Sequence, residues 1–448
     1  MINNLIKYFQ NKKILILGFG REGKSTYKFI RKYLKEQELY IADAKTGIKD
    51  ENDFLKEDNN LIFKCGENYL ENLEEFDLIL KSPGISLARI DVTKFREKIK
   101  SQLELLLEFL DVFTIGITGT KGKSTTSTLI YNVLQDQNVN SLLLGNIGIP
   151  VFDYIDNITE NTKLVLEMSS HQLEYMNLSP NIAILLNVYE EHLDHYNSFD
   201  EYVGAKCNIY KNQKSTDYFL YNCENEVLKK KVITPIAKTY KISLKQSEGS
   251  QVYLKNDIVY INDKQIYNSK EEKRNLMGDY NLNNIMFVLT VSEIMGLDLK
   301  KTIHTINNFK TLEHRLELVG NKDDILYYDN SIATIPMATI EAVKALGNVD
   351  TLIIGGMDRG IDYSEFIEYL NKSNIKNIIC MPKTGHDIAE KLSNERKYIV
   401  ESLEEAVDIA KKVTAKGKSC LLSPAAASYG FFKNFEEKGN LYKKLVMM

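Results

Sequence analysis

Cysteine is scarce and unpatterned, with five residues at positions 65, 207, 223, 380 and 420 and no CxxC pair. An odd, scattered set argues against a disulfide framework or a structural zinc site and makes a reducing compartment the simplest setting. An excess of one charge is also missing. The net charge is −4 and the sequence pI about 6.0, so no overall field draws in nucleic acid or a membrane surface. Small anionic ligands would then need local basic sites. No apolar run approaches the length of a bilayer span, and residues 1–10 lack an apolar signal core. These absences lead to the expectation of a soluble, cytoplasmic protein with neither nucleic acid nor membrane among its partners. Long Pro/Gly/Ser linkers and internal repeats are absent too, although 448 residues exceed the usual size of one hydrophobic core.

What is present begins with the apolar stretch 113–117, which runs into Thr118-Gly119-Thr120-Lys121-Gly122-Lys123-Ser124-Thr125 and then a helix-compatible run to about 135. Strand, glycine-bearing loop and helix in that order form a phosphate-binding loop. Its backbone N–H groups close around phosphate oxygens, Lys123 reaches the terminal phosphates, and the Ser124 hydroxyl can ligate Mg²⁺. A strict GxxxxGK(S/T) would need glycine where Ile117 stands, so the loop is of the shorter TGTxGK(S/T) kind.

The chain is expected to be α/β with three domains. In residues 1–105, short apolar runs at 13–17, 39–42, 61–64 and 77–80 read as strands of a parallel sheet. The first turn, Gly18-Phe19-Gly20-Arg21-Glu22-Gly23, matches GxGxxG, and Asp43 closes the second strand. That fingerprint suits a dinucleotide or a uridine diphosphate group equally. Residues 106–312 hold the phosphate loop, strands at 141–144, 163–166 and 182–186, a hairpin around 255–257 and an amphipathic helix at 281–295. Residues 313–448 repeat the α/β rhythm, with strands at 325–328, 351–354, 377–380 and 419–422.

Chemistry-bearing residues gather at strand ends, where open α/β sheets bind ligands. Glu167 follows a buried strand and reads as a metal-ligand position; the segment 187–195 is dense in proton-transfer and metal-capable groups, His192, Asp194 and His195 among them.

At this point the chain resembles the Mur ligases of cell-wall precursor synthesis, over essentially its whole length. The matching segments are 18–25, 82–85, 118–125, 145–148, 167–174, 187–196, 202–210, 281–284, 314–315, 329–334 and 421–439. The resemblance implies a Rossmann-like N-terminal UDP-binding domain, a central P-loop ATPase-like domain and a C-terminal Rossmann-like domain. It also implies an ATP-dependent amide ligase. The short first domain, the Ser82-Pro83-Gly84-Ile85 turn and the segment 423–439 resemble the branch that adds D-glutamate to UDP-N-acetylmuramoyl-L-alanine. A monomer is expected.

Residue by residue, the resemblance assigns Lys123, His192 and Lys206 to catalysis. Residues 118–125 (Thr118, Gly119, Thr120, Lys121, Gly122, Lys123, Ser124, Thr125), with Asn284, Arg315 and Asp329, would hold ATP. Two Mg²⁺ ions would be held by Ser124, Glu167, His192 and Lys206, the lysine as a carbamate. Gly18, Gly20, Gly23, Asp43 and Ser82 would contact the UDP group, Asn146 the muramoyl part, and Thr334, Arg359, Ser428 and Phe435 the D-glutamate. Four positions depart from the family pattern: Lys121 for asparagine, His171 for an aromatic residue, Tyr280 for histidine and Ile332 for lysine. The Ile332 change removes a cation, and Lys121 is the expected compensation. The implied mechanism phosphorylates the L-alanyl carboxylate; the amino acid's amine then displaces phosphate as the third domain closes. Rival readings are a sister ligase or a folylpolyglutamate synthase-like enzyme, a P-loop switch that makes no amide bond, and a nicotinamide dehydrogenase using the first GxGxxG.

Overall fold

The computed structural model describes residues 2–146, 150–191, 195–246, 249–310, 312–393, 395 and 397–448. The chain divides into two compact units, one of Met1–Lys273 with Asn283–Asn307 and one of Arg274–Leu282 with Asn308–Met448. The first unit contains two sheets and the second contains one.

The N-terminal sheet is built from β1 (Ile14–Leu17), β2 (Leu39–Asp43), β3 (Leu61–Cys65), β4 (Leu78–Lys81) and β5 (Ile99–Lys100), in the order β3-β2-β1-β4-β5 with every pairing parallel. The unbroken Ile-Leu-Ile-Leu run of β1 explains its central place. Ile14 and Ile16 enter one apolar core and Leu15 and Leu17 another, so the strand is buried on both faces. Strand order reverses between β1 and β4, the position at which open α/β sheets characteristically bind ligands.

The second sheet contains β6 (Thr114–Thr118), β7 (Ser141–Gly145), β8 (Lys163–Glu167), β9 (Ile182–Leu185), β10 (Tyr218–Asn222), β11 (Lys238–Ser243), β12 (Val252–Lys255), β13 (Ile258–Ile261) and β14 (Lys264–Asn268). Its order is β14-β13-β12-β11-β10-β9-β6-β8-β7, parallel as far as β12 and antiparallel beyond. The hairpin expected around 255–257 joins β12 to β13. Asn256 and Asp257 both take positive φ (50° and 63°), as a tight two-residue hairpin turn requires.

The helix expected to be amphipathic at 281–295 forms as Gly278–Ile294, but its character differs: residues 283–292 are buried on every side. Asn283, Asn284, Thr290 and Ser292 interrupt the apolar run on different sides of the helix, and the fold covers all four. Thr290 and Ser292 donate their hydroxyls to the carbonyls of Met286 and Val288, which lets them sit in an apolar setting.

The sheet of the second unit contains β15 (Glu317–Lys322), β16 (Ile325–Asp329), β17 (Val349–Ile354), β18 (Asn377–Cys380), β19 (Lys397–Ile399) and β20 (Ser419–Leu422), in the order β15-β16-β20-β17-β18-β19. Only β15 runs antiparallel to its neighbour. Among the described residues, no helix is long and apolar enough to cross a membrane.

Candidate functional site

The phosphate loop leaves the fully buried β6 and turns at Gly122, whose φ of +87° puts it in the left-handed region just before helix Lys123–Asp136. Neighbouring strand ends hold the loop. Thr120 N–H donates to the Asn187 carbonyl (2.9 Å) and Lys121 N–H to the Asn187 side-chain oxygen (2.8 Å). The Asn187 amide donates back to the Lys121 carbonyl (3.0 Å), and the Thr120 and Tyr202 hydroxyls bond at 3.0 Å. The sequence placed Asn187 at a strand end without showing that it shapes the loop.

Two ammonium groups converge on one carbonyl of that loop. Lys123 donates to the oxygens of Gly119 (2.9 Å) and Thr120 (3.2 Å), and Lys206, on helix Phe199–Lys211, donates to the same Gly119 oxygen (2.9 Å). Lys206 is 2% exposed. Burial, and then the nearby charges of Lys123 and Lys121 against that of Glu191, hold its ammonium well below the ordinary lysine range. Lys121, the expected compensating cation, is paired with Glu191 at 3.1 Å.

One strand over, Glu167 closes β8 and is 1% exposed. Asn146, just past β7, donates its amide to Glu167 Oε1 (2.8 Å), while Oε2 is buried with no hydrogen-bond partner among the described residues. A buried carboxylate oxygen without a donor suits a cation. Ser124 and Thr125 lie buried at the first turn of the helix. His192 lies outside the described residues.

In the N-terminal sheet, the glycine turn follows β1 and packs against the turn after β4. Phe19 N–H donates to Asp43 Oδ2 (2.7 Å), Lys45 N–H to Asp43 Oδ1 (2.9 Å), and the Ser82 hydroxyl to the Gly18 carbonyl (2.7 Å). A Cβ at Gly23 would stand 2.1 Å from the Gly18 oxygen, so the helix can start this close only with glycine. Gly20 precedes helix Arg21–Tyr33 as its N-cap.

A polar cluster not foreseen from the sequence links this turn to the second sheet's elements. Gln172 donates to Glu22 (2.7 Å), and Glu174 receives Lys81 (3.4 Å) and His195 (3.2 Å). Burial pushes the Glu22 carboxyl up to about 7, against the Gln172 hydrogen bond and the charges of Lys81 and Arg21. Lys81, directly before Ser82 at the end of β4, was the available sequence signal.

In the second unit the remaining predicted residues occupy strand ends and the loops beyond. Asp329 is fully buried, bonded through Oδ2 to His314 Nδ1 (2.7 Å) and through Oδ1 to the Ser331 N–H (2.9 Å). Thr334 is half-buried, Arg359 is exposed in the loop after Gly355-Gly356, and Ser428 is buried with its hydroxyl unpartnered among the described residues. Phe435 opens helix Phe435–Met447 with its ring 5.9 Å from that of His314. Arg315 belongs to this unit and the buried Asn284 to the first.

A phosphate loop on β6 beside a buried carboxylate on β8 defines a nucleoside-triphosphate-using enzyme of the α/β class. Two family descriptions match the chain: the Mur ligase middle domain over residues 117–292 and the Mur ligase, glutamate ligase domain over residues 314–426. Similar curated proteins include the UDP-N-acetylmuramoylalanine--D-glutamate ligase of Clostridium kluyveri, 33% identical over 98% of this chain and 97% of that protein. The protein of the same name from Listeria monocytogenes is 31% identical over 98% and 96%. Among solved structures, the MurF ligase of Thermotoga maritima in complex with ADP matches with a TM-score of 0.62 at 16% identity, covering 98% of this chain and 96% of that one. The UDP-N-acetylmuramate-alanine ligase MurC of the same organism matches at 0.59 and 19%, covering 97% and 99%. These two structures speak to the fold alone. The chain belongs to the Mur ligase family.

Proposed function

We propose that this Mur ligase adds D-glutamate to UDP-N-acetylmuramoyl-L-alanine, in the cytoplasm and as a monomer. As a member of the family it is an ATP-dependent ligase of peptidoglycan precursor synthesis. The name shared by its full-length relatives supports D-glutamate as the amino acid. The working division we infer is 1–105 for the UDP substrate, 106–312 for ATP and 313–448 for the amino acid.

The observation that carries the reading is the loop's charge arrangement. Lys123 and Lys206 share one carbonyl beside a carboxylate with an oxygen to spare. Two ammonium groups this close disfavour each other, and the one that is fully buried is the one that gives up its proton. A neutral Lys206 amine can add CO₂, releasing a proton and leaving a carbamate anion in place of a cation. Ser124, Glu167, His192 and the Lys206 carbamate would then hold Mg²⁺. The metal would neutralise phosphate charge.

The chain's own residues supply the rest. The loop N–H groups and Lys123 cradle the β- and γ-phosphates, so the transferring phosphoryl group is aligned and its growing charge compensated. The substrate's L-alanyl carboxylate attacks the γ-phosphorus, ADP leaves, and an acyl phosphate forms. The amine of D-glutamate attacks the acyl carbon, phosphate leaves, and the amine's proton is lost. Asn146 would place the muramoyl part against Glu167, and residues 18–23, Asp43 and Ser82 would seat the UDP group at the β1/β4 switch point. Asn284, Arg315 and Asp329 are assigned to the nucleotide, Asp329 exchanging one of its present bonds. Thr334, Arg359, Ser428 and Phe435 are assigned to D-glutamate, with the exposed Arg359 fork suited to a carboxylate.

Phosphate release from ATP and Mg²⁺ with UDP-N-acetylmuramoyl-L-alanine tests this. We expect release that requires D-glutamate and is not supported by L-glutamate, L-lysine or buffer. Release with no amino acid, or with another in preference, would overturn the reading.

A further inference from the structure

Lys438 is 1% exposed on helix Phe435–Met447 in the second unit. Its Nζ makes one long hydrogen bond, to the Gly355 carbonyl at 3.4 Å, and lies 5.5 Å from the centre of the Phe432 ring. Among the described residues, no carboxylate lies within ion-pair distance of it. Burying an ammonium strips its hydration, so such groups are normally paired with a counter-ion. Burial alone lowers its pKa to about 8, which leaves the charged form prevalent near neutrality.

The same corner holds a second unused group. Gly355 and Gly356 follow β17 and press on the segment after β20: Gly355 N–H donates to the Pro424 carbonyl, Met357 N–H to the Ala427 carbonyl, and a Cβ on Gly356 would stand 2.3 Å from the Ala427 oxygen. Ser428 comes next, its hydroxyl buried and unpartnered among the described residues, and its carbonyl accepts from Phe432 N–H, whose ring Lys438 approaches. A buried donor and a buried cation, both short of an acceptor, thus border one strand-end junction.

We propose that Lys438, with the Ser428 hydroxyl, receives a carboxylate of the incoming amino acid, the one that Arg359 does not take. A carboxylate offers the negative charge and the acceptor lone pairs that both groups lack. The inference rests on the D-glutamate reading. It makes Lys438 a determinant of selectivity for an amino acid with two carboxylates.

The test compares Lys438→Met, Lys438→Arg and Ser428→Ala with the wild type by phosphate release, varying each substrate in turn. Lys438→Met should raise KM for D-glutamate by about tenfold or more while KM for ATP and for the UDP substrate stays within about twofold. Lys438→Arg should recover most of the loss, because it restores the charge. Ser428→Ala, which removes a hydroxyl that has no partner among the described residues, should raise the same KM several-fold without lowering the melting temperature. An unchanged KM for D-glutamate in a folded Lys438→Met overturns the proposal whatever Ser428→Ala does, as does a loss in Lys438→Met shared equally among all three substrates. If Lys438→Met does not fold, Lys438→Gln, which keeps a polar end on a side chain of similar length but no charge, takes its place with the same expected and contrary results. A wild type indifferent to D-glutamate would instead reject the functional reading.

Discussion

Glu167 is the residue on which the metal reading turns. Its carboxylate is buried, one oxygen is held by Asn146 and the other has no donor among the described residues. Glutamine there keeps the shape, removes a buried charge and loses the anion. Glu167→Gln should therefore melt no lower than the wild type, while kcat/KM falls by roughly 10² or more. Thermal melts beside phosphate-release kinetics check both halves, and retained activity would remove Glu167 from the metal site. Lys121 is the second residue at issue. Its ion pair with Glu191 fixes a cation at the mouth of the loop, where the family pattern has asparagine. Lys121→Asn should lower kcat by about tenfold if that cation stands in for the lysine missing at Ile332. Turnover at the wild-type level would show that the loop backbone suffices.

At the scale of elements, the helix that starts after the glycine turn meets the short helix Ser170–Leu173 through Glu22 and Gln172. The groups facing Glu22 are Gln172, Lys81 and Arg21, and burial outweighs them, raising its pKa from 4.5 to about 7. The folded chain therefore binds this proton more tightly than the unfolded chain. The stabilisation is complete below about pH 4.5 and is lost as pH rises through about 7. Glu22→Gln should flatten that part of the curve of melting temperature against pH. An unaltered slope between pH 5 and 7.5 would mean that another group carries it.

The same scale shows what the sequence made legible. Strands that are apolar throughout, such as Ile14–Leu17 and Ile182–Leu185, announced themselves because burial on two faces leaves no polar alternation. Edge strands did not. Glu317–Lys322 and Lys397–Ile399 carry charge and glycine where only one side is paired, so their pattern resembles that of loops. The phosphate loop and Glu167 were readable as local motifs. The Asn187 clamp, the shared Gly119 carbonyl and the Glu22–Gln172 contact were not, because each joins residues far apart in sequence.

For the whole molecule, the proposed function is the ATP-driven joining of D-glutamate to UDP-N-acetylmuramoyl-L-alanine. The measurement that tests it most directly is the mass of the product formed from UDP-N-acetylmuramoyl-L-alanine, ATP and D-glutamate. The account predicts a UDP-sugar heavier by one glutamate less one water, formed with one ADP and one phosphate for each product. An unmodified UDP-sugar beside consumed ATP would contradict it, leaving an ATPase that forms no amide bond with these substrates.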